Sequence, residues 1–308
     1  MHHRCFKIRL FLLLLSSLLA APLQAATRHV QDAYGQEHEV PATPQRIVTL
    51  SEIDLDSVLA LGIHPIGAVN GRGQTTLPRY LPNSMQQGIA VIGDLDNPNL
   101  EQLAALTPDL ILTGPAKPEL LTLLNQIAPT LVTAKWGAPW QESLQRIATI
   151  VGRQPEADAV ITRYQQRVTE VRAQLQPWQG QSISIVRWNP KGPAYMFKDS
   201  FASRIITDLG LRRPAHQQDP GHTHSQALSL ESLELLDGDW LLIGTLSATG
   251  DAVDALEQAR TTPAFRQLGA IRHGHYGAVD GSLWTSTGGP YAALQVIADV
   301  QKLLVPSP

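Results

Sequence analysis

Short apolar runs alternate with helical patterns along the first half of the chain. Runs rich in β-branched residues predict strands at 46–50, 66–69, 90–92, 110–113 and 130–133. Helical periodicity between them predicts helices at about 54–61, 100–106, 118–127 and 141–151, the first closed by Gly62 as a left-handed residue and the last ending at Gly152. Strands that alternate with helices are typical of βα units, so this half predicts one α/β lobe with a largely parallel sheet.

A long, polar-rich helical pattern follows this lobe. After Pro155 it runs to Gln176 without Gly or Pro, and a helix of that extent spans about 30 Å. We interpret it as a connecting helix, while a surface helix inside one domain remains the alternative. After Pro177 the alternation restarts with a strand at 183–186 and a helix from about 200 to 209 that is closed by Gly210.

The sequence repeats itself on either side of the long helix. Residues 100–114 align without gaps on residues 230–244, and the two segments share their leucine spacing together with one Glu, one Asp and one Gly. The shared acids are Glu101 with Glu231 and Asp109 with Asp239. Two similarly built lobes would produce this repeat, although an ordinary helix–turn–strand unit can also recur by chance.

These patterns predict an α/β fold with two lobes, at 27–150 and 178–308, joined by a helix at about 154–176. A ligand site is expected in the cleft between the lobes, because pockets form at domain interfaces and at the carboxyl ends of strands.

The first 25 residues are predicted to be a cleaved signal peptide. Three basic residues precede an apolar run at 10–21 that is shorter than the roughly 20 residues of a membrane span, and small residues offer a cleavage site after Ala25. The only cysteine, Cys5, precedes the apolar run, whereas a lipid anchor needs one just after it. We therefore expect a soluble exported protein, with an uncleaved signal anchor as the alternative.

Composition narrows the functional classes. The 308 residues are 43% hydrophobic and 17% charged, with 24 basic and 27 acidic side chains, which argues against disorder and against a nucleic-acid-coating surface. The single cysteine excludes a disulfide framework or a cysteine-based metal cage.

Side chains suited to an anionic ligand follow several predicted strands. Arginine offers a planar donor fork for carboxylates, and tryptophan offers a broad apolar face. The candidate ligand-binding residues are Arg72, Trp136, Arg187, Trp188, His222 and Trp284. Trp284 is the strongest candidate because its surroundings are rich in Gly and Ser and lack apolar periodicity. Solvated or ion-paired arginines and buried tryptophans are the ordinary alternatives.

Metal and catalytic signatures are weak. Two His-x-His pairs, His222 with His224 and His273 with His275, lack a third ligand at a recognisable spacing, so no protein-bound metal is expected. The chain has no phosphate-binding loop, no H-E-x-x-H and no G-x-S-x-G, and we rank binding above catalysis.

Several segments together resemble the solute-binding proteins of iron-siderophore ABC importers, especially the ferric citrate, hydroxamate and carboxylate members. They are 46–50 with 59–62, 98–101 with 108–111, 150–153, 208–211 and 279–293. The resemblance covers nearly the whole mature chain. It implies two Rossmann-like lobes joined by one long helix, which bind a ferric chelate in a shallow cleft.

The resemblance also implies partners. Glu101 and Glu231 match the glutamates that dock onto an inner-membrane permease, which works with an ATPase; both could instead stabilise helix starts capped by Asn99 and Ser229. A monomer without a resident cofactor is expected, with an Fe(III)-siderophore as ligand. A haem-, cobalamin- or metal-binding protein of the same fold and an exported enzyme remain the alternative functions.

Overall fold

A computed structural model describes residues 26–94 and 96–305. The predicted signal peptide and Cys5 lie outside this part of the chain. Within the described residues, no helix is both long enough and apolar enough to cross a membrane.

The N-terminal lobe is built on a five-stranded parallel sheet. A hairpin of β1 (Thr27–Gln31) and β2 (Glu37–Pro41) precedes the sheet strands, which are β3 (Ile47–Thr49), β4 (Gly67–Ala68), β5 (Ala90–Val91), β6 (Leu110–Thr113) and β7 (Thr130–Val132). The sheet order is β5-β4-β3-β6-β7. All five sheet strands lie where the apolar runs predict them. The three strands β3, β6 and β7 are buried throughout, as a sheet with helices on both faces requires.

The C-terminal lobe has a smaller, mixed sheet. Its strands are β8 (Ile183–Asn189), β9 (Gly192–Tyr195), β10 (Trp240–Gly244) and β11 (Tyr276–Ala278). The order is β11-β10-β8-β9, with β9 antiparallel to β8 and the other pairs parallel.

Helices cover both sheets. They are α1 (Glu52–Ala60), α2 (Asn83–Gln86), α3 (Leu100–Ala105), α4 (Pro118–Asn125), α5 (Trp140–Val151), α6 (Gln154–Gln174), α7 (Phe201–Asp208), α8 (Asp251–Arg260), α9 (Pro263–Arg266), α10 (Gly269–Arg272), α11 (Gly281–Trp284) and α12 (Pro290–Leu304). Short 3₁₀ helices occupy Gln176–Trp178, Ala215–Gln217 and Leu230–Leu236.

The long helix α6 joins the two lobes, as predicted. Its buried side chains Ala157, Tyr164 and Val171 stand seven residues apart, so one narrow stripe packs while the rest of the helix stays polar. The ring of Tyr164 meets Trp140 of α5 edge to face at 5.0 Å, and its hydroxyl donates to Asp208 of α7 at 2.6 Å. One residue of α6 therefore contacts both lobes. The domain boundaries drawn from the sequence remain a prediction.

The repeated segments occupy equivalent places in the two sheets. The carboxylate of Asp109 accepts the backbone N–H groups of Gln45 and Arg46 just before β3, at 2.7 and 2.9 Å. That of Asp239 accepts the backbone N–H and the hydroxyl of Ser182 just before β8, at 2.7 and 2.8 Å. Each aspartate thus fixes the start of the neighbouring parallel strand, which gives the repeat a structural reason.

The second copy of the repeat differs from the predicted α-helix. Leu230–Leu236 is 3₁₀ helix with non-helical backbone angles at Ser232, whereas Leu100–Ala105 in the first copy is α-helical. Asn99 caps the first copy by accepting the Gln102 N–H at 3.0 Å, as predicted. Ser229 makes no such capping bond, so the prediction of a serine cap there is wrong.

Candidate functional site

The two lobes meet at a cavity of about 210 Å³. Segments that directly follow strands form most of its walls: Ser51 comes shortly after β3, Gly114 after β6, and Ala134 shortly after β7. Met196, directly after β9, and residues 285–288 close the cavity from the other lobe. The carboxyl ends of parallel strands lie at one sheet edge, so these loops converge on one place.

The cavity lining combines hydroxyl groups with apolar surface. Hydroxyl groups come from Ser51, Ser200, Thr223, Thr285, Ser286 and Thr287, and large apolar side chains come from Trp136, Trp140, Met196 and Phe201. Such a lining provides many hydrogen bonds to an oxygen-rich ligand together with an apolar face.

Arg187 lies behind the wall of this cavity, with a side chain that is only 6% exposed on β8. Its Nη1 donates to the carbonyl oxygen of Thr285 at 3.3 Å, while within the described residues its Nε has no hydrogen-bond partner and no carboxylate pairs with it. Burial, reinforced by the charge of Arg72, lowers the pKa of Arg187 from 12.5 to about 10. A buried, unpaired guanidinium is costly, and a ligand anion would offset that cost.

Two further cations line the cavity from the N-terminal lobe. The side chain of Arg72 is exposed, and so is that of Lys135, and neither forms an ion pair in the part of the chain that the structure describes. The acid in the lining, Asp199, is paired with Arg204 at 3.3 Å. Among the residues that line the cavity, two unpaired cations therefore stand against one paired acid.

Trp136 stands at the rim of the cavity, where 68% of its surface is exposed. It belongs to the loop after β7, and Arg204 of the other lobe donates to Gly137 of that loop at 2.7 Å. This bond ties the loop that carries the exposed ring to the C-terminal lobe.

The structure places Trp188 and Trp284 in the hydrophobic core, at 1% and 0% exposed. Trp188 follows Arg187 on β8, and successive side chains of a strand point to opposite faces, so both cannot face the cleft. Its ring packs on Phe265 instead. The indole of Trp284 donates to Asp299 at 2.9 Å. The sequence interpretation of both tryptophans as cleft residues is corrected accordingly.

The histidine loop reaches the cavity through His224. His222, the predicted contact, is exposed beside Phe197, at 6.4 Å between ring centres, and is not part of the cavity lining. His224 lines the cavity, and its Nδ1 lies 2.8 Å from the Ser225 carbonyl oxygen. Across the described residues, no three His, Cys, Asp or Glu side chains are grouped as metal ligands.

Glu101 and Glu231 lie outside the cavity. Both side chains are exposed, near the start of α3 and of the 3₁₀ helix at Leu230–Leu236, and neither makes an ion pair within the described residues. The repeat therefore presents one free carboxylate on each lobe.

Sequence reasoning missed the segment at 285–288 and the buried acids of α1. The segment has no periodicity, and its place in the cavity follows from contacts across the lobes. The acids Glu52, Asp54 and Asp56 lie near the start of α1, where nothing in the helical pattern shows that they are buried. Ser51 and Gly114 could have been found, because each follows a predicted strand at the edge where sites form.

The sequence is similar to a known protein family and to individual known proteins. A family model described as "Periplasmic binding protein" matches residues 24–280. The probable siderophore-binding lipoprotein YfiY of Bacillus subtilis is 31% identical over 284 residues, covering 89% of this chain and 87% of the relative. The Fe(3+) dicitrate-binding periplasmic protein FecB of Escherichia coli is 26% identical, covering 94% of each chain.

Solved structures share the fold. SirA of Staphylococcus aureus, in complex with staphyloferrin B, superposes with a TM-score of 0.80 at 23% identity, covering 90% of this chain and 98% of SirA. The two-lobed α/β architecture is thus common to both proteins.

Proposed function

Because the chain belongs to the periplasmic binding protein family, we propose that it captures a ferric siderophore between its lobes and delivers it to the permease of an ABC importer. The observation that carries the proposal is the buried guanidinium of Arg187, which has no acidic partner among the described residues and lies directly behind the cavity wall.

The charge and shape of the cleft support an anionic chelate as ligand. Arg72, Lys135 and Arg187 supply positive charge, and six hydroxyl-bearing residues supply hydrogen bonds. Carboxylate oxygens match the arginine fork, so a chelate with free carboxylate edges fits best. A cavity of about 210 Å³ holds part of such a ligand, and Trp136 at the rim would cover the rest.

Iron is treated as cargo in this proposal. The siderophore fills the coordination sphere of the metal, so the protein needs to recognise only the outer surface of the chelate. The protein then requires no resident cofactor and performs no catalysis. We also infer that it works as a monomer in the periplasm, after cleavage at about Ala25.

We assign delivery to the permease to the two exposed glutamates of the repeat. Glu101 and Glu231 are exposed on different lobes and lie outside the ligand cavity. One carboxylate from each lobe would meet basic side chains of the permease, and such complementary charges determine orientation and speed association.

Tryptophan fluorescence tests the ligand class. Ferric citrate, a ferric hydroxamate, a ferric catecholate, haem, cobalamin and free Fe(III) are titrated in turn, and a ferric chelate is expected to quench the emission of Trp136. In Trp136→Phe the quenching should shrink. Quenching by haem or cobalamin alone would favour the alternative cargo, and chemical conversion of a bound chelate would favour an enzyme.

The variant Arg187→Met tests whether the buried guanidinium of Arg187 binds the chelate. A charge-assisted hydrogen bond contributes about 1.5–3 kcal/mol, so affinity for the chelate should fall more than tenfold. Arg212→Met is the matched control, because Arg212 is an exposed arginine that donates to the Gly180 carbonyl near the amino end of β8. Equal affinities in the wild type and in folded Arg187→Met would contradict the proposal.

A further inference from the structure

Asp56 is a buried carboxylate of the N-terminal lobe that bonds to the start of the last helix. It lies on α1 and is 0% exposed. Its oxygens accept the backbone N–H groups of Tyr291 at 2.8 Å, Ala292 at 2.9 Å and Gly289 at 3.2 Å. Asp56 thus caps α12 with a side chain that is distant in sequence, which satisfies three N–H groups that a helix start leaves free.

The capped turn continues directly into a wall of the ligand cavity. Residues 285–288 line the cavity and precede Gly289 without interruption. The carbonyl of Thr285 in this wall accepts the bond from Arg187. A chain of direct contacts therefore runs from Asp56 through the turn to the guanidinium that carries the proposed function.

Gly289 shows how closely the carboxylate approaches the turn. A Cβ atom at this position would lie 2.8 Å from Cγ of Asp56, closer than non-bonded carbon atoms approach. Only glycine allows this contact, so the position of the turn and that of the carboxylate determine each other.

Burying this carboxylate is costly, and four hydrogen bonds to its oxygens offset that cost. Burial raises the pKa of Asp56 from 3.8 to about 6, against the bonds from Ala292, Tyr291, Tyr80 and Gly289, which favour its charged form. Perturbed groups of this kind collect at functional sites. An asparagine or serine cap belonging to the helix itself would avoid the burial of a charge.

Two neighbouring acids of α1 make parallel contacts. The carboxylate of Glu52 accepts the backbone N–H of Arg72 at 3.0 Å, and that of Asp54 accepts the hydroxyl of Ser51 at 2.5 Å. Arg72 and Ser51 both line the cavity. The same helix thus holds three separate parts of the cavity.

We propose that Asp56 is a positioning residue for the ligand site, which holds residues 285–288 and, through Thr285, the guanidinium of Arg187 in the geometry that receives the ligand. The part of this inference that concerns ligand binding rests on the proposed function.

Hydrogen exchange of the ligand-free protein tests the positioning itself. In Asp56→Asn one acceptor oxygen becomes an amide N–H group that faces backbone donors, so exchange of residues 285–292 should rise at least about tenfold. Asp237→Asn is the matched control, because Asp237 accepts the Gly269 and Ala270 N–H groups of α10 away from the cavity. Unchanged exchange of residues 285–292 in Asp56→Asn would overturn the proposal.

Affinity for ferric citrate tests the consequence for binding. Asp56→Asn should weaken it about tenfold or more, and Asp237→Asn should leave it unchanged. In the Arg187→Met background the loss from Asp56→Asn should shrink, because residues that act through one contact chain are not additive. Additive losses would reduce Asp56 to a structural role.

One outcome separates this inference from the proposed function. If the wild type binds no ferric chelate, the proposed function fails, while the exchange experiment still decides the role of Asp56.

If Asp56→Asn does not fold, Gly289→Ala displaces the carboxylate without removing it and should give the same local rise in exchange. Exchange at residues 285–292 like that of the wild type in Gly289→Ala would then refute the positioning role.

Discussion

At the residue scale, composition and spacing select candidate side chains, but they do not show which way each side chain points. Composition and spacing drew attention to Arg72, Trp136 and Arg187, of which the first two line the cavity and the third bonds to its wall at Thr285. They could not separate Arg187 from Trp188, since the alternation of β8 shows that the two side chains face opposite ways but not which of them faces the cleft. That choice depends on the packing of the sheet.

Trp284 is expected to matter for stability rather than for binding. Trp284→Phe loses the bond to Asp299 and some packed volume, and should lower the free energy of unfolding by about 1–3 kcal/mol. Denaturant unfolding measures this, and affinity for ferric citrate should stay within about twofold. Trp136→Phe serves as the control, with unchanged stability. A loss of affinity without a loss of stability would return Trp284 to the site.

Glu52 should make stability depend on pH. Burial raises the pKa of Glu52 from 4.5 to about 7, despite the bond from the Arg72 N–H. The folded state then binds more protons than the unfolded state between these values, so the contribution of Glu52 to stability is present below pH 4.5 and is lost as the pH rises through 7. Glu52→Gln lacks this titration.

The measurement for Glu52 is the free energy of unfolding at pH 5 and pH 8. Relative to the wild type, Glu52→Gln should gain on the order of 3 kcal/mol between the two values, at 1.36 kcal/mol per unit of pKa shift. A difference between variant and wild type that is constant with pH would mean that Glu52 titrates normally in the folded protein.

At the element scale, the repeat contains acidic residues that anchor strands and acidic residues that do not, and sequence alone could not distinguish them. Asp109 and Asp239 anchor strands, whereas the side chains of Glu101 and Glu231 are exposed and form no ion pair among the described residues. The sequence predicted two copies of a helix, turn and strand, and the sheets confirm their equivalent places. It could not predict that the second helix is 3₁₀, because local propensity in the two copies is similar.

The two glycines of the repeat are expected to differ in their tolerance of a side chain. A Cβ atom at Gly244 would lie 2.5 Å from backbone atoms of Gly281 and Val279, while one at Gly114 would lie 3.3 Å from Ser51. Gly244→Ala should therefore cost about 1–3 kcal/mol through displaced backbone, and Gly114→Ala should cost less. Parallel denaturant titrations compare them, and equal losses would contradict the close approach.

At the scale of the whole molecule, the two-lobed design was predictable because it rests on many consistent signals. Alternating strands and helices, a long polar helix and a repeat on either side all point to one architecture. The contacts that close the cleft were not predictable, since they join distant residues: Arg79 pairs with Asp280 at 2.5 Å, and Gln74 donates to Ser282 at 2.8 Å. Such contacts fix how the lobes face each other, and that arrangement sets the distance between the carboxylates of Glu101 and Glu231, which we propose dock onto the permease.

Charge reversal at both proposed docking positions should separate delivery from capture. In Glu101→Lys with Glu231→Lys, lysines would face basic side chains of the permease, and like charges in contact cost several kcal/mol. Affinity for ferric citrate should persist, because both carboxylates lie outside the cavity. A cation near a helix start lowers stability by about 0.3–1 kcal/mol, so the unfolding temperature must be measured before transport is interpreted.

The measurement is chelate uptake, or ATP hydrolysis by the reconstituted importer, with the folded double variant. Asp158→Lys with Glu170→Lys is the control, because it changes the net charge equally at exposed positions of α6. The control should transport like the wild type, whereas the docking variant should lose most transport while keeping its chelate affinity. Wild-type transport by the docking variant would leave Glu101 and Glu231 as surface residues of the repeat, and the permease would then have to recognise a different part of the two lobes.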